Sequence, residues 1–305
     1  MSTSSPKRRW RRLITVPLGI VLVIVVYLGL GAVLTYELDD DPSFATDVPV
    51  PEGGLATLAT MAALIERETD RTGWVANDPA FLPGAWLPSM AAYQAAIRDT
   101  TRRLAADLAD AEGADDPEWQ VALDALAVPG DIWAFDFARS WRPQRTSESF
   151  YRDAVQALRR LNARISAGTA SSGIAPPTVK VILERVDAEL NALAEAAIDH
   201  VDSRGGHWLD HRTGPRFAAA KGSLYTHLVT LRGLGRDVSV PGGAEGWDAF
   251  LASLEKAAVF QPAVVMNGQA DSWVRPPHLA VQAALVLRAK RDLEPVRQAL
   301  AAADA

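Results

Sequence analysis

The run His207-Trp208-Leu209-Asp210-His211 carries two imidazoles four residues apart, with a carboxylate beside the second. On a helix that spacing puts both rings on one side, where they could share a zinc ion and leave the acid to act on a bound water. Two details work against a metal site. Gly205-Gly206 before the run and Thr213-Gly214-Pro215 after it leave little room for a helix, and the acid is Asp where the peptidase motif has Glu. The run reads as a polar surface loop, and no metal is assigned to it.

Gly73-Trp-Val-Ala-Asn-Asp-Pro-Ala-Phe-Leu-Pro-Gly-Ala-Trp-Leu-Pro-Ser-Met90 crowds two tryptophans and three prolines into eighteen residues. Trp and Asp on one loop suit sugar binding, but each residue also has a structural use. Asn77-Asp78-Pro79 and Pro83-Gly84 are turn signals, Ser89 is placed to cap a helix starting at Met90, and Trp74 and Trp86 bury large rings whose N–H groups need partners. The stretch is expected to be a packing corner with both tryptophans mostly buried. Glu148-Ser149-Phe150 opens a helical stretch and resembles the catalytic Glu-Ser of wall-cleaving lytic transglycosylases, but those enzymes continue with Gly-Leu-Met-Gln where this chain has Tyr-Arg-Asp-Ala. A capping Thr146 or Ser147, with Glu148 favoured by the helix dipole, explains it as well.

Lys221 falls at helical spacing between Phe217 and Leu224, which predicts partial burial or a pair with an acid such as Asp210. His278 follows Pro276-Pro277 at a helix start and is expected to contact Asn267-Gly268. Neither supplies a nucleophile with its base, and no phosphate loop, dinucleotide fingerprint or Gly-x-Ser-x-Gly occurs, so no catalytic residue and no cofactor are assigned. The absence of cysteine excludes disulfides, thiolate metal sites and a cysteine nucleophile.

The elements that would position these residues follow from charge and periodicity. Lys7, Arg8, Arg9, Arg11 and Arg12 precede any acid; setting those five aside leaves 26 basic against 37 acidic side chains, a balance that disfavours nucleic acid as a partner. The tail 1–12 leads into 24 uncharged residues, Leu13 to Tyr36, about 36 Å long as a helix at ~1.5 Å per residue and enough to cross a bilayer. Arginines before it and Glu37, Asp39, Asp40 and Asp41 after it place the tail in the cytoplasm and the rest outside. Trp10 and Tyr36 are expected at the two interfaces. A cleaved signal peptide is the alternative, with Gly29 and Gly31 as the small residues before the cut, although the apolar run is long for one and ends without an Ala-x-Ala-like site.

Residues 37–54 are acidic and proline-bearing and read as a semi-rigid tether. From residue 55 to 305 the apolar spacing is helical, as in Met90, Tyr93, Ile97, Leu104 and Leu108 or Val179, Ile182, Val186 and Leu190, and seven or eight helices are expected. Only Pro262 to Met266 could be extended. The expected architecture is all-α: one membrane helix followed by a single helical bundle.

Five motifs carry a family resemblance. Gly73 to Leu87, Asp210-x-Arg212, Lys221-Gly-x-Leu-Tyr225, Leu231-Arg-x-Leu-Gly-x-Asp237 and Val264-Val-x-Asn-Gly268 together resemble the DUF2333 family of bacterial membrane-anchored proteins over most of the chain beyond the anchor. The resemblance implies the architecture and an inner-membrane location with a periplasmic domain, and it brings no activity with it. Trp74, Asn77, Asp78, Trp86, Asp210, Arg212, Lys221, Tyr225, Asn267 and His278 are the candidate binding or corner residues. The expected role is structural or scaffolding, with the bilayer and other envelope proteins as partners and self-association left open. A periplasmic hydrolase of cell wall or carbohydrate, and a binding domain for an apolar or lipidic ligand, are the alternatives.

Overall fold

A computed structural model describes residues 6–36, 38–111, 116–135, 141–171, 173–207, 210–238, 244–268 and 275–303. Among them every regular element is a helix, and the one β contact is an isolated bridge between Asn267 and Pro277. The side chain of Trp10, and Trp208 and Leu209 of the two-histidine run, lie outside the described residues.

The apolar run forms α1, Pro6–Thr35, whose window Thr15–Ala32 is apolar and uninterrupted enough to cross a membrane and has no residue buried by the rest of the chain. After it comes a single turn, α2 (Phe44–Asp47), then α3 (Ala56–Glu66), which widens into a π turn over Arg67–Arg71. A 3-10 turn, Pro83–Trp86, leads into α4 (Pro88–Asp110). Pro88 starts this helix, and Ser89 makes no capping bond, because proline at the first helical position needs no donor partner. The remaining helices are α5 (Pro117–Ala127), α6 (Ser147–Ser166), α7 (Pro176–Arg204), α8 (Thr213–Asp237), α9 (Ala244–Ala258) and α10 (His278–Ala303). Pro262 to Met266 forms no strand.

One helix organises the rest. α8 packs against α3, α4 and α9 and is buried on all sides from Ala220 to Leu231. A helix so placed is usually apolar all round, yet this one carries Lys221, Ser223, Tyr225, Thr226, His227 and Thr230. Each buried polar group must find a partner inside the protein or carry a desolvation cost of roughly 1–3 kcal/mol. Where those partners come from determines the sites described next.

α4 and α8 run in the same direction. Gly214 lies against the Ser89 hydroxyl at their first turns, and the Ser223 hydroxyl accepts from Thr100 at 3.2 Å further along. At the far end Asp237 accepts from the Ala56 and Thr57 amides at 2.6 and 2.8 Å, so the last turn of α8 holds the first turn of α3.

Candidate functional site

Two clusters of functional side chains are built on this frame. The first grips the chain just beyond α1. Tyr93 on α4 donates to the Asp39 carbonyl at 2.5 Å, Lys221 to the Asp40 carboxylate at 2.6 Å and Tyr225 to the Asp41 carbonyl at 2.9 Å. Arg232 donates to the Pro42 carbonyl, and Arg236 to that of Ala45 at 2.9 Å. Positions 221, 225, 232 and 236 are four, seven and four apart, which puts them on one stripe of α8.

The segment 38–48 lies along that stripe, docked on the domain rather than stretched away from it as a tether. Lys221 is fully buried, and its two further acceptors are the Ala258 and Phe260 carbonyls at 2.8 and 3.3 Å. Its acid is Asp40, not Asp210. Burial pushes the ammonium below the usual lysine range, and Asp40 opposes that shift.

Beneath the segment, Arg67 in the π turn is 2% exposed and sits 3.3 Å from the Asp39 carboxylate and 2.8 Å from Glu68. Its guanidinium stacks 4.9 Å over Phe44 and 5.0 Å over Tyr225. Glu68 is held above the usual carboxylate range by burial, against the pull of Arg67. The sequence reading passed over Arg67, Glu68, Tyr93 and the three aspartates as partners.

The second cluster is the corner. Trp74 is 4% exposed, donates from Nε1 to the Gly130 carbonyl at 2.7 Å and meets Tyr151 edge-on at 4.8 Å. Asn77 is buried and donates to the Ile132 carbonyl at 2.9 Å and to Glu148 at 2.8 Å. Asp78 stands close enough to Glu148 to feel its charge. Burial first, then Glu148, pushes its pKa up to about 6. Its carboxylate fills the place over Gly84 where a Cβ would stand, which is why the turn needs glycine there.

Trp86 does not join this packing. It is 60% exposed, its N–H folded back onto the Ala80 carbonyl at 2.9 Å. The 3-10 turn rotates the indole away from the core, so the expectation of two buried tryptophans holds for Trp74 and fails for Trp86. A half-buried acid with a raised pKa beside a second carboxylate is the chemistry of a general acid and base, so Glu148 re-enters as a candidate through its neighbour and not through its resemblance.

The other candidates fall elsewhere. Asp210 accepts from Thr213 at 2.9 Å and lies 2.6 Å from His200 Nε2; burial would raise its pKa, but these bonds and the Arg212 amide hold it below the usual range. His207, His211 and Arg212 are exposed. His278 Nδ1 accepts from the Met266 amide at 3.0 Å, and burial lowers its pKa. Asn267 is buried, its carbonyl accepting from Gly206 at 2.9 Å, while its amide side chain has no hydrogen-bond partner among the described residues. An open depression of about 190 Å³ between Leu193, Ala197, His200 and Leu279 falls below the ~300–1,000 Å³ of ordinary ligand sites. No family model, curated protein or solved structure matches the chain.

Proposed function

We propose that this chain is a single-pass inner-membrane protein whose helical domain is held in a fixed pose on the periplasmic face and acts by contact with other envelope proteins. The observation that carries the reading is the grip of α8 and α4 on Asp39 to Ala45 directly after α1. A module that only needed to be near the membrane would do with a free tether. Burying Lys221 and Arg67 to hold the first residues past the helix is costly unless the domain must keep one orientation.

Two experiments test this. Alkaline phosphatase fused after Ala305 is expected to be active and a cytoplasmic reporter silent; the reverse overturns the topology and with it the role. Crosslinking in intact membranes, followed by capture of the chain, is expected to retain the same envelope proteins from the native chain and to lose them when Asp40→Asn loosens the grip. Retention by the loosened chain would refute the need for a fixed pose.

A second reading has its own observation. Asp78, with its pKa at about 6, and Glu148 favour a hydrolase acting on wall or carbohydrate. Cleavage of peptidoglycan fragments by the native chain, abolished in both Asp78→Asn and Glu148→Gln, would favour it over the scaffold.

A further inference from the structure

We infer that the corner is a second membrane contact: Phe81 and Trp86, with Trp133 and Phe135 beside them, seat in the headgroup–acyl boundary of the bilayer that α1 crosses. The inference rests on α1 being the span and goes beyond it, because a spanning helix alone would leave the domain free of the lipid surface.

Depth comes from one contact. A Cβ built on Gly31 would collide with Pro83 Cγ, so the last turns of α1 and the 3-10 turn touch directly. A hydrocarbon core of about 30 Å takes roughly 20 helical residues. The uncharged run ends at Tyr36, five residues or about 8 Å beyond Gly31 at ~1.5 Å per residue, which puts Gly31 and hence Pro83 near the outer edge of that core. Phe81 and Trp86 are two and three residues from Pro83, so they lie at most about 7–10 Å from it along the chain. That is the thickness of the interfacial zone.

The surface chemistry agrees with the depth. Phe81 is 62% exposed and Trp86 60%, and no charged residue occurs between Asp78 and Arg98 in a chain that is 22% charged. Trp86 has its N–H satisfied by Ala80, which leaves an apolar ring outward. Phe81 meets Trp133 at 6.0 Å and Trp133 meets Phe135 at 5.6 Å, both edge-on, extending the row. Exposed Phe81 and Trp86 on a stretch free of charge are out of place in water and suit the interface, where tryptophan gathers in membrane proteins.

The chain has no cysteine, so single-cysteine spin labels can be placed without other changes. The full chain would be labelled separately as Phe81→Cys, Trp86→Cys, Leu22→Cys and Ala167→Cys, and placed in nanodiscs of phosphatidylethanolamine and phosphatidylglycerol. Leu22 calibrates mid-membrane. Ala167 calibrates water, since its neighbour Ser166 bonds Glu52 near the end of α8 remote from α1. Power saturation is expected to give labels 81 and 86 more oxygen than nickel-chelate collisions, at depths between the two calibrators. Nickel access equal to that of label 167, with label 22 deep, would overturn this inference and leave the span intact. Low collision rates with both reagents would mean a protein covers the row, which also overturns it. A nickel-accessible label 22 would overturn the span and the inference together.

Discussion

Asp78→Asn should make the protein more stable at neutral pH and no more stable in acid. The folded-state pKa of Asp78 is about 6 against an ordinary 3.8, so between those values the folded chain binds the extra proton. Stability from this group is therefore complete below about pH 3.8 and is lost as pH rises through 6. For a group sealed from water, a shift of about 2 units would correspond to about 3 kcal/mol at ~1.36 kcal/mol per unit. Asp78 is only half-buried, and solvent screening reduces that to about 1 kcal/mol. In a domain of roughly 150–250 residues, 1 kcal/mol moves Tm by about 2–4 °C. Calorimetry of native and Asp78→Asn chains at pH 7.5 and pH 4 would read this as a Tm gain of a few degrees that disappears in acid. Glu148→Gln should reproduce part of the gain, because it removes the charge that Asp78 feels, and the double variant should gain less than the sum. Equal melting at pH 7.5, or a gain of the same size at both pH values, would refute the assignment of strain to the Asp78 charge.

The tryptophans of the corner should separate by environment: Trp74→Ala, losing a buried ring and its bond to Gly130, should cost about 3–5 kcal/mol, while Trp86→Ala should change detergent-solubilised stability by no more than about 0.5 kcal/mol. Asp40→Asn should cost about 1–3 kcal/mol by leaving the buried Lys221 ammonium without its counter-charge and should expose residues 38–48 to limited proteolysis; an unchanged cleavage pattern would count against the grip. Glu189 on α7 is partly buried, which would raise its pKa, but bonds from His227 at 2.9 Å and Arg103 at 2.7 Å hold it at about 2. Its contribution is present above an ordinary 4.5 and lost as pH falls through 2, so Glu189→Gln should flatten the acid limb of a Tm against pH plot.

The helices were legible because their apolar positions recur every three or four residues, and burial of one face is enough to set a helix in place. Met90, Tyr93, Ile97, Leu104 and Leu108, read as one stripe, are all buried on α4. The corner was half legible. The chemistry of Asn-Asp-Pro and Pro-Gly predicts turns, but which way an indole leaves a 3-10 turn depends on what stands beside it. Here that neighbour is α1, more than fifty residues earlier, and spacing along the chain does not encode it. The Asp78–Glu148 pairing is hidden for the same reason, since seventy residues separate the two acids.

The aspartates that follow α1 teach a different lesson. Acids after an apolar run are read as the outer flank of a span, a reading that treats them as charges facing water. Yet α8 carries Lys221 and Tyr225 fully buried, with Arg232 half-buried and Arg236 exposed on the same stripe, and the buried polar groups demand partners inside the protein. Among the described residues, the acids nearest the end of α1 are those at 39–41. Lys221 takes the Asp40 carboxylate, and Tyr225, Arg232 and Arg236 take the Asp41, Pro42 and Ala45 carbonyls in chain order, so the segment follows α8 in the helix's own direction. A buried lysine on a central helix is thus a signal for an internal counter-charge, and in this chain the Asp40 that supplies it joins the domain to α1.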